Sequence, residues 1–373
     1  MAPPQDTRRP FKRLAISDQQ RRRDISLQRQ AQSRRDAQHQ ARCLASTVLS
    51  LQHQTTPEPE PNIELELVPE SEESGAPSQD LDVRHAAKLK GAEARKWFAK
   101  QLMLHEWMID VPDRYVFARP AGKRCFVVST NGTTLDQTYY VIDMVCWRGY
   151  SLYDCAAEFR FFWLNSKLGE TGACDPPSFY HKYKFSTVPV YNCDQNGLFS
   201  AYSGAVPYVK DGLLFYNKHA HYQTGNTPLA LVWKDQNCSQ YVMDTDNKGQ
   251  VPTQQQVVLE LQDDGKLVTS DDPPVVFGCL DSDFIQKSGL CSGNLLRFAI
   301  SDGGLSFVDG KLVKADLHYL EKPNRARAFA DSYSKIMFQH TVRHCPLKVD
   351  DLLASISSPD DQQNRPCDIE MVS

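Results

Sequence analysis

Arginine side chains cluster near the start of the chain, at a density that suits binding to a large acidic surface. The span from Arg8 to Arg42 contains only Asp18, Asp24 and Asp36 as acidic residues. Its cations are Arg8, Arg9, Lys12, Arg13, Arg21, Arg22, Arg23, Arg29, Arg34, Arg35 and Arg42. Guanidinium groups form charge-assisted hydrogen bonds with carboxylates and phosphates. The segment therefore predicts a docking arm for an acidic surface.

The same segment is predicted to be helical. Ser17 and Gln20 have the spacing of a capping box, and neither Pro nor Gly occurs from Asp18 to about Ser46. Its apolar residues are too few and too small to bury against a core, namely Ile25, Leu27, Ala31, Ala37, Ala41 and Leu44. We therefore expect residues 1–50 to form an arm with a basic, largely isolated helix that is unstable alone.

The charge then reverses, because the span from Glu58 to Asp82 holds acidic residues, prolines and no Lys or Arg. Residues 51–87 are predicted to be an acidic, Pro-rich, disordered linker. The whole chain has 373 residues, 41% of them hydrophobic, and a net charge of -4, which suits one large domain or two small ones. No apolar run approaches the ~20 residues of a membrane span, and the first residues lack the apolar stretch of a signal peptide.

Cysteine and histidine spacing predicts neither disulfides nor a metal site. The 11 cysteines form no CxxC pair, and an odd number in a long chain favours reduced thiols in the cytosol or nucleus. His219 and His221 alternate in a predicted strand, but no further ligands show metal spacing. We therefore expect no metal and no cofactor.

The remaining chain shows more strand patterns than helix patterns. A helix is predicted from Ala92 to Glu106, and another from Asn324 to Arg343. Strands are predicted at Tyr115–Phe117, Cys125–Val128, Thr138–Trp147, Phe159–Leu164, Gly212–Tyr216 and Leu229–Trp233. Two hairpins should follow, Val257–Leu261 with Lys266–Val268 and Leu295–Ile300 with Leu305–Val308. Since strands and helices do not alternate regularly, we predict an α+β domain over 88–345 with mostly antiparallel sheets, then a mostly disordered tail over 346–373.

Several specific blocks resemble the snurportin family. They are Gln101–Pro112, Asp136–Gly149 continuing through Phe159–Trp163, Val209–Tyr216 and Thr227–Trp233. The resemblance is strongest over 95–234. It implies an arm that binds importin-beta and a domain that binds the 2,2,7-trimethylguanosine cap of small nuclear RNA. The family's longer segment between Thr134 and Leu135 is missing from this sequence.

The body more faintly resembles the nucleotidyltransferase domain of messenger-RNA capping enzymes, whose KxDGxR segment supplies a lysine nucleophile. The matching stretch here is Arg119-Pro-Ala-Gly-Lys-Arg124, in which Arg119 stands at the nucleophile's place. Guanidinium stays protonated and is not a usable nucleophile. Lys210-Asp211-Gly212 and Val232-Trp233-Lys234 match two further segments of those enzymes. The resemblance thus implies a nucleotide-binding fold without catalysis.

A trimethylated guanine carries a positive charge, and its N2 no longer donates hydrogen bonds, so we expect recognition by stacking. Tryptophan is the best partner for a cationic ring. By resemblance, Trp233 stacks on the cap, Trp107 walls the pocket, and Leu104 and His105 lie near the N2 methyl groups. Arg124 and Lys123 would face the triphosphate. From spacing alone, either tryptophan is more often a core residue.

The family also implies how the arm acts. It would bind the acidic inner surface of importin-beta through its arginines, namely Arg13, Arg21, Arg22, Arg23, Arg29, Arg34, Arg35 and Arg42. The leading hypothesis is a nuclear import adaptor for trimethylguanosine-capped ribonucleoprotein that shuttles between cytoplasm and nucleus, with a nuclear exportin as a further partner. The alternatives are a guanylyltransferase-type enzyme and a non-specific RNA-binding scaffold with a basic arm.

Overall fold

The computed structural model has mixed α and β structure with mostly antiparallel sheets. It describes residues 16–53, 90, 93, 97, 100–108, 115–122, 138–179, 182–246, 248–271, 273–308, 311–323 and 329–356. The helices are α1 Ile16–His53, α2 Ala157–Glu170, α3 Gln195–Ser203, α4 Ser282–Lys287, α5 Tyr333–His344 and α6 Val349–Ile356. The strands are β1 Met103–Trp107, β2 Tyr115–Pro120, β3 Thr138–Val141, β4 Cys146–Trp147, β5 Tyr150–Ser151, β6 Lys184–Thr187, β7 Tyr191–Asn192, β8 Lys210–Tyr216, β9 Gly225–Trp233, β10 Gln256–Leu261, β11 Lys266–Val268, β12 Val276–Cys279, β13 Leu295–Val308 and β14 Lys311–Glu321.

The first sheet has five strands in the order β1-β9-β8-β2-β7 and is covered on both faces. Along β8, Leu214 and Tyr216 face one hydrophobic cluster, while Leu213 and Phe215 face another. Helix α2 covers the first face, and helices α3, α5 and α6 cover the second. Burial on both faces explains why β8 and β9 are nearly continuous apolar runs, as their sequences predicted.

The second sheet has the order β12-β11-β10-β13-β14, and all its pairings are antiparallel. Strand β10 pairs with both β11 and β13, and helix α4 lies between β12 and β13 in the chain. Gly278 of β12 lies against Leu317 of β14, where an added Cβ would come within 3.3 Å of that side chain. The sheet has the strand order and helix position of an OB-type barrel. The contact between β12 and β14 brings its two edge strands together, as in such a barrel.

Two smaller sheets complete the strands of the described ranges. Strand β3 pairs with β6 in parallel, and β4 pairs with β5 in a short antiparallel hairpin. Strand β1 also pairs in parallel with β9, so the prediction of mostly antiparallel sheets is confirmed with these two exceptions. The predicted strand Cys125–Val128 lies outside the described residues.

Several element predictions were wrong. The predicted helix over Ala92 to Glu106 ends early, because Met103–Trp107 is strand β1. Phe159–Leu164 is part of helix α2. The buried apolar residues of this helix recur at helical spacing, namely Ala157, Phe161, Leu164 and Leu168. The predicted helix from Asn324 begins only at Tyr333 within the described residues. His219 and His221 lie between β8 and β9 and not in a strand.

The second predicted hairpin is one long strand, because β13 continues from Leu295 to Val308. The register with β14 shifts between Ile300 and Leu305, and Gly304 has a φ of 60° there. Glycine adopts that left-handed conformation without steric cost, so the Gly303-Gly304 pair forms a bulge and not a turn. The body also continues past the predicted boundary at residue 345, since Leu352 of α6 is fully buried.

Helix α1 is not isolated, contrary to the prediction. Gln19 and Arg23 on its first turns are 0% and 4% exposed, whereas its side chains from Gln32 to Thr47 are exposed. The polar face near Gln19 packs against the body because it meets a buried carboxylate there, Glu106 of strand β1. The sequence shows few apolar residues in this helix, and its docking rests on polar contacts instead.

A buried ion pair fixes helix α2 to the loop between β3 and β4. The Arg160 side chain is 0% exposed, and its Nη2 lies 2.8 Å from Asp143 Oδ2. Arg160 Nη1 also donates to the carbonyls of Cys155 and Ala220, at 2.7 and 3.0 Å. Burial opposes the charge on this guanidinium, but the Asp143 carboxylate outweighs burial and raises the Arg160 pKa.

Replacing Asp143 with Asn should therefore destabilise the fold, because it leaves a buried guanidinium without its counter-charge. We expect the free energy of unfolding to fall by about 3–5 kcal/mol, measured by urea denaturation. The control is Glu170→Gln, which breaks a pair with Lys167 at 2.7 Å whose carboxylate side is 56% exposed. That change should cost less than about 1 kcal/mol, and equal losses in the two variants would contradict the role given to Asp143.

Candidate functional site

One carboxylate gathers two cations at the end of the first sheet. Asp211 Oδ2 accepts a hydrogen bond from Arg119 Nη1 at 2.6 Å, and Asp211 Oδ1 accepts from Lys234 Nζ. Ser239 Oγ also donates to Asp211 Oδ1, at 2.7 Å. The Arg119 and Asp211 side chains are 17% and 16% exposed, so the cluster reaches solvent. Two cations on one anion leave an excess positive charge, which suits a phosphate-bearing ligand.

The strand register brings these residues together. Ala118 of β2 pairs with Leu213 of β8, and Leu213 pairs with Trp233 of β9, so Arg119, Asp211 and Lys234 lie at the same ends of neighbouring strands. Gly212 has a φ of 97°, and a Cβ there would lie 2.5 Å from the Trp233 carbonyl oxygen. Glycine is therefore required where β8 passes close to β9, next to the charged cluster.

Burial and charge act in opposite directions on the cluster's pKa values. Burial alone would raise the pKa of Asp211, but hydrogen bonds from Lys234 and Ser239 and the charge of Arg119 outweigh it and lower that pKa. For Lys234, burial is the larger effect and lowers its pKa, although the Asp211 carboxylate opposes this. The carboxylate is thus firmly ionised and holds its two cations in place.

Trp107 lies beside this cluster, at the end of strand β1. Lys234 Nζ is 5.6 Å from the centroid of the Trp107 ring, within the range of a cation–π contact. The Phe338 ring of α5 lies 4.5 Å from Trp107, at an interplanar angle of 34°. The Trp107 amide donates to Ser334 Oγ at 3.1 Å. Trp107 is half-buried and packs against the hydrophobic clusters on both faces of the first sheet.

Trp233 does not have the predicted role in this structure. Its side chain is 0% exposed and packs with Leu198, Phe215 and Phe338, and its Nε1 donates to the Leu347 carbonyl at 3.2 Å. An indole buried in this way has no face left for a ligand. The prediction that Trp233 stacks on a cap is wrong for this conformation, because alternation along β9 turns the side chain into the core beneath α3 and α6.

The other predicted body residues fall in different places. Leu104 is half-buried opposite Asn226, and His105 Nε2 lies 3.0 Å from the Tyr216 hydroxyl oxygen, with the two rings edge to face. Both residues lie on strand β1 with Trp107. Their contacts with the methyl groups of the cap stay a prediction. Lys123 and Arg124 lie outside the described residues.

The site prediction omitted Asp211, Lys234 and Ser239. The first two lie in segments already matched to the nucleotidyltransferases, Lys210-Asp211-Gly212 and Val232-Trp233-Lys234, and that match was the signal that could have selected them. Arg119 was noted only as a lost nucleophile. Ser239 has no sequence signal, because its role depends on the turn after β9 folding back on Asp211.

The predicted arm residues divide into two groups along α1. Arg22 contacts the body, with Nη1 and Nη2 lying 2.6 and 2.9 Å from the two carboxylate oxygens of Glu106. Arg23 is buried beside it. The exposed arginines are Arg21, Arg29, Arg34, Arg35 and Arg42. Arg13 lies outside the described residues.

Neither a cluster of metal ligands nor a membrane-spanning helix occurs among the described residues. These residues hold no group of three or more His, Cys, Asp or Glu side chains that could bind a metal ion. Among the helices they form, none is both long and apolar enough to cross a membrane.

Residues 133–235 match the family described as Snurportin1, m3G cap-binding domain. This span contains Asp211, Trp233 and Lys234, while Leu104, His105, Trp107 and Arg119 precede it. The matched domain is described as cap-binding, and the match covers a minority of the 373 residues.

Solved structures of DNA ligases are also similar to this chain, but weakly. A Lig E DNA ligase structure shows 14% identity over 48% of this chain and 62% of its own, with a TM-score of 0.19. A Chlorella virus DNA ligase-adenylate shows 11% identity over 50% and 67%, with a TM-score of 0.21. The chain thus spans less than two thirds of the Lig E structure.

The burial of Trp233 predicts a structural cost for its removal. Trp233→Ala should lower the free energy of unfolding by about 3–5 kcal/mol, because it leaves a large cavity in the core. Chemical denaturation followed by circular dichroism measures this. The control is Trp147→Ala in the β4–β5 hairpin, where the indole is half-exposed and belongs to none of the three clusters. Equal stabilities of Trp233→Ala and the parent chain would contradict the core role.

Proposed function

We propose that the chain binds the 2,2,7-trimethylguanosine cap of small nuclear RNA, beside Trp107 and the Asp211 cluster, without catalysing a reaction on it. The match of residues 133–235 to a cap-binding domain is the observation that carries this proposal. The body would then be a nucleotidyltransferase-type fold that retains a nucleotide site.

The chemistry of the cap fits the geometry at Trp107. Methylation at N7 gives the guanine a positive charge, and a Lys234 ammonium already lies 5.6 Å from the Trp107 ring centroid. A cationic base could stack on the half-buried Trp107 in the same way, while Asp211 holds Lys234 in place. Lys234 and Arg119 would then remain on the side of the ligand that carries the triphosphate.

The same cluster supports binding over catalysis. Arg119 stands where the related enzymes have a lysine nucleophile, and its guanidinium is held by Asp211. Lys234 is held by the same carboxylate. An ammonium or guanidinium that is protonated and paired has no lone pair with which to attack a phosphate.

We extend the proposal to the arm, whose exposed arginines suit the acidic inner surface of importin-beta. The exposed part of α1 is rich in arginine, and a solenoid partner offers an extended concave face for such a helix. An adaptor of this kind would shuttle between cytoplasm and nucleus, with a nuclear exportin for its return.

Removing Trp107 tests the cap site. Trp107→Ala should weaken binding of a fluorescently labelled trimethylguanosine cap dinucleotide by about 5- to 150-fold, as expected for losing one base–aromatic stack. Fluorescence anisotropy with the full chain measures the dissociation constant, and an unmethylated GpppG competitor reports selectivity.

The matched control is Trp147→Ala, because Trp147 also carries a cation near its ring, with Arg148 Cζ at 5.8 Å. That variant should bind the cap as the parent chain does. The proposal would be contradicted if the Trp107→Ala variant and the parent chain bound the cap with equal affinity. It would also be contradicted if the parent chain bound methylated and unmethylated caps equally. The second outcome would favour an RNA-binding scaffold without cap preference.

A covalent assay separates this function from the enzyme alternative. Incubation of the full chain with radiolabelled GTP and a divalent cation, followed by denaturing electrophoresis, should show no labelled protein. A guanylate adduct that is lost in Lys234→Arg would establish a transferase activity and refute the non-enzymatic assignment.

A further inference from the structure

Helix α1 makes polar contacts with the strand that carries Trp107. Arg22 forms a two-pronged ion pair with Glu106, whose side chain is only 1% exposed. Gln19 Nε2 donates to Glu106 Oε2 and to the Trp107 carbonyl oxygen, each at 3.0 Å. One turn of the arm thus satisfies both a buried charge and an edge-strand carbonyl.

A second contact lies further along the helix. The His221 amide donates to Gln30 Oε1 at 3.0 Å, in the segment between β8 and β9. The docked segment of α1 therefore extends from Gln19 to Gln30. Beyond it, the side chains from Gln32 to Thr47 are exposed, so the helix leaves the body after about three turns.

Arg22 lies among acidic side chains of the body, as it would on the acidic surface proposed for the arm's partner. The Glu106 carboxylate pairs with Arg22 directly. Asp271, in the loop between β11 and β12, is close enough that the Arg22 charge affects the pKa of its carboxyl. Burial is the larger influence on Asp271 and raises that pKa. Acidic groups of the body thus already pair with an arginine that an acidic partner would also have to bind.

We propose that residues 19–30 form an internal clasp, in which Glu106 takes the place of a carboxylate of the acidic partner. The clasp and the partner-bound arm exclude each other, because both use Arg22. The exposed arginines would make the first contact with the partner, and release of the clasp would complete binding. This inference rests on the proposed binding of the arm to an acidic protein surface.

Two reciprocal consequences follow from this competition. The apparent affinity for the partner is the intrinsic affinity multiplied by the fraction of molecules whose clasp is open. Weakening the clasp must therefore strengthen partner binding. Conversely, partner binding removes a cation from Glu106 and a donor from the Trp107 carbonyl. The partner is therefore coupled to the strand that we propose contacts the cap, by a factor within the ordinary range of about 5–150-fold.

Hydrogen exchange tests the clasp itself in the full chain without a partner. Polar helices are marginally stable alone, so docked residues 19–30 should exchange more slowly than exposed residues 32–47. Gln19→Ala removes two contacts from the arm side and leaves the body sequence intact. Alanine is also the better helix former, so faster exchange over 19–30 in this variant reports undocking and not lost helix propensity.

Glu106→Gln removes the charge from the body side, and the two variants should act alike. Glu170→Gln is the control, because it removes an exposed carboxylate paired with Lys167 elsewhere. It should leave the exchange of 19–30 unchanged. Equal exchange over 19–30 and 32–47 in the parent chain would overturn the clasp.

Binding assays with purified importin-beta, and with poly-L-glutamate as a generic acidic probe, test the competition. Gln19→Ala should bind at least about fivefold more tightly than the parent chain. Arg42→Ala, in the exposed part of the helix, should bind more weakly without changing exchange over 19–30. Unchanged or weaker binding by Gln19→Ala, or no binding by any variant, would overturn the competition. The proposed cap site is judged separately by Trp107→Ala, which leaves the arm sequence intact.

Discussion

The structure depends on pairing buried or half-buried carboxylates with cations from distant parts of the chain. Removing an ionised group from water costs several kcal/mol in practice, and the cost is offset only by a well-placed opposite charge with satisfied hydrogen bonds. Asp143 meets Arg160 and joins helix α2 to the loop between β3 and β4. Asp211 meets two cations and joins three strands at one end of that sheet. Glu106 meets an arginine 84 residues away and brings the arm onto the body.

These pairings place the proposed ligand site and the docking contact of the arm on one strand. On β1, the side chain of Trp107 contacts the Asp211 cluster through Lys234, while its carbonyl accepts from the arm. Glu106, the preceding residue, holds the arm's charge. The proposed ligand contact and the arm's contact thus lie on two adjacent residues of β1.

The sequence predicted the parts of the fold that depend on local patterns. The apolar runs of β8 and β9 and the hairpin of β10 and β11 were predicted correctly. The aromatic run at 159–163 was misassigned because aromatic residues favour strands, although the buried positions recur at helical spacing. Burial of Trp233 could not be predicted, because the face of β9 that it occupies depends on long-range packing under α3 and α6. The docking of α1 likewise depends on Glu106, which shows no pairing signal in the sequence.

The indole N–H resonances of the full chain test the central claim most directly. The chain has five tryptophans, and each gives one side-chain signal in a ¹⁵N–¹H spectrum after assignment by single substitutions. On addition of a trimethylguanosine cap dinucleotide, the Trp107 signal should shift with increasing ligand. The Trp233 signal should stay in place, because its N–H is bound to Leu347 inside the core. A shift at Trp233 with no change at Trp107 would contradict the account.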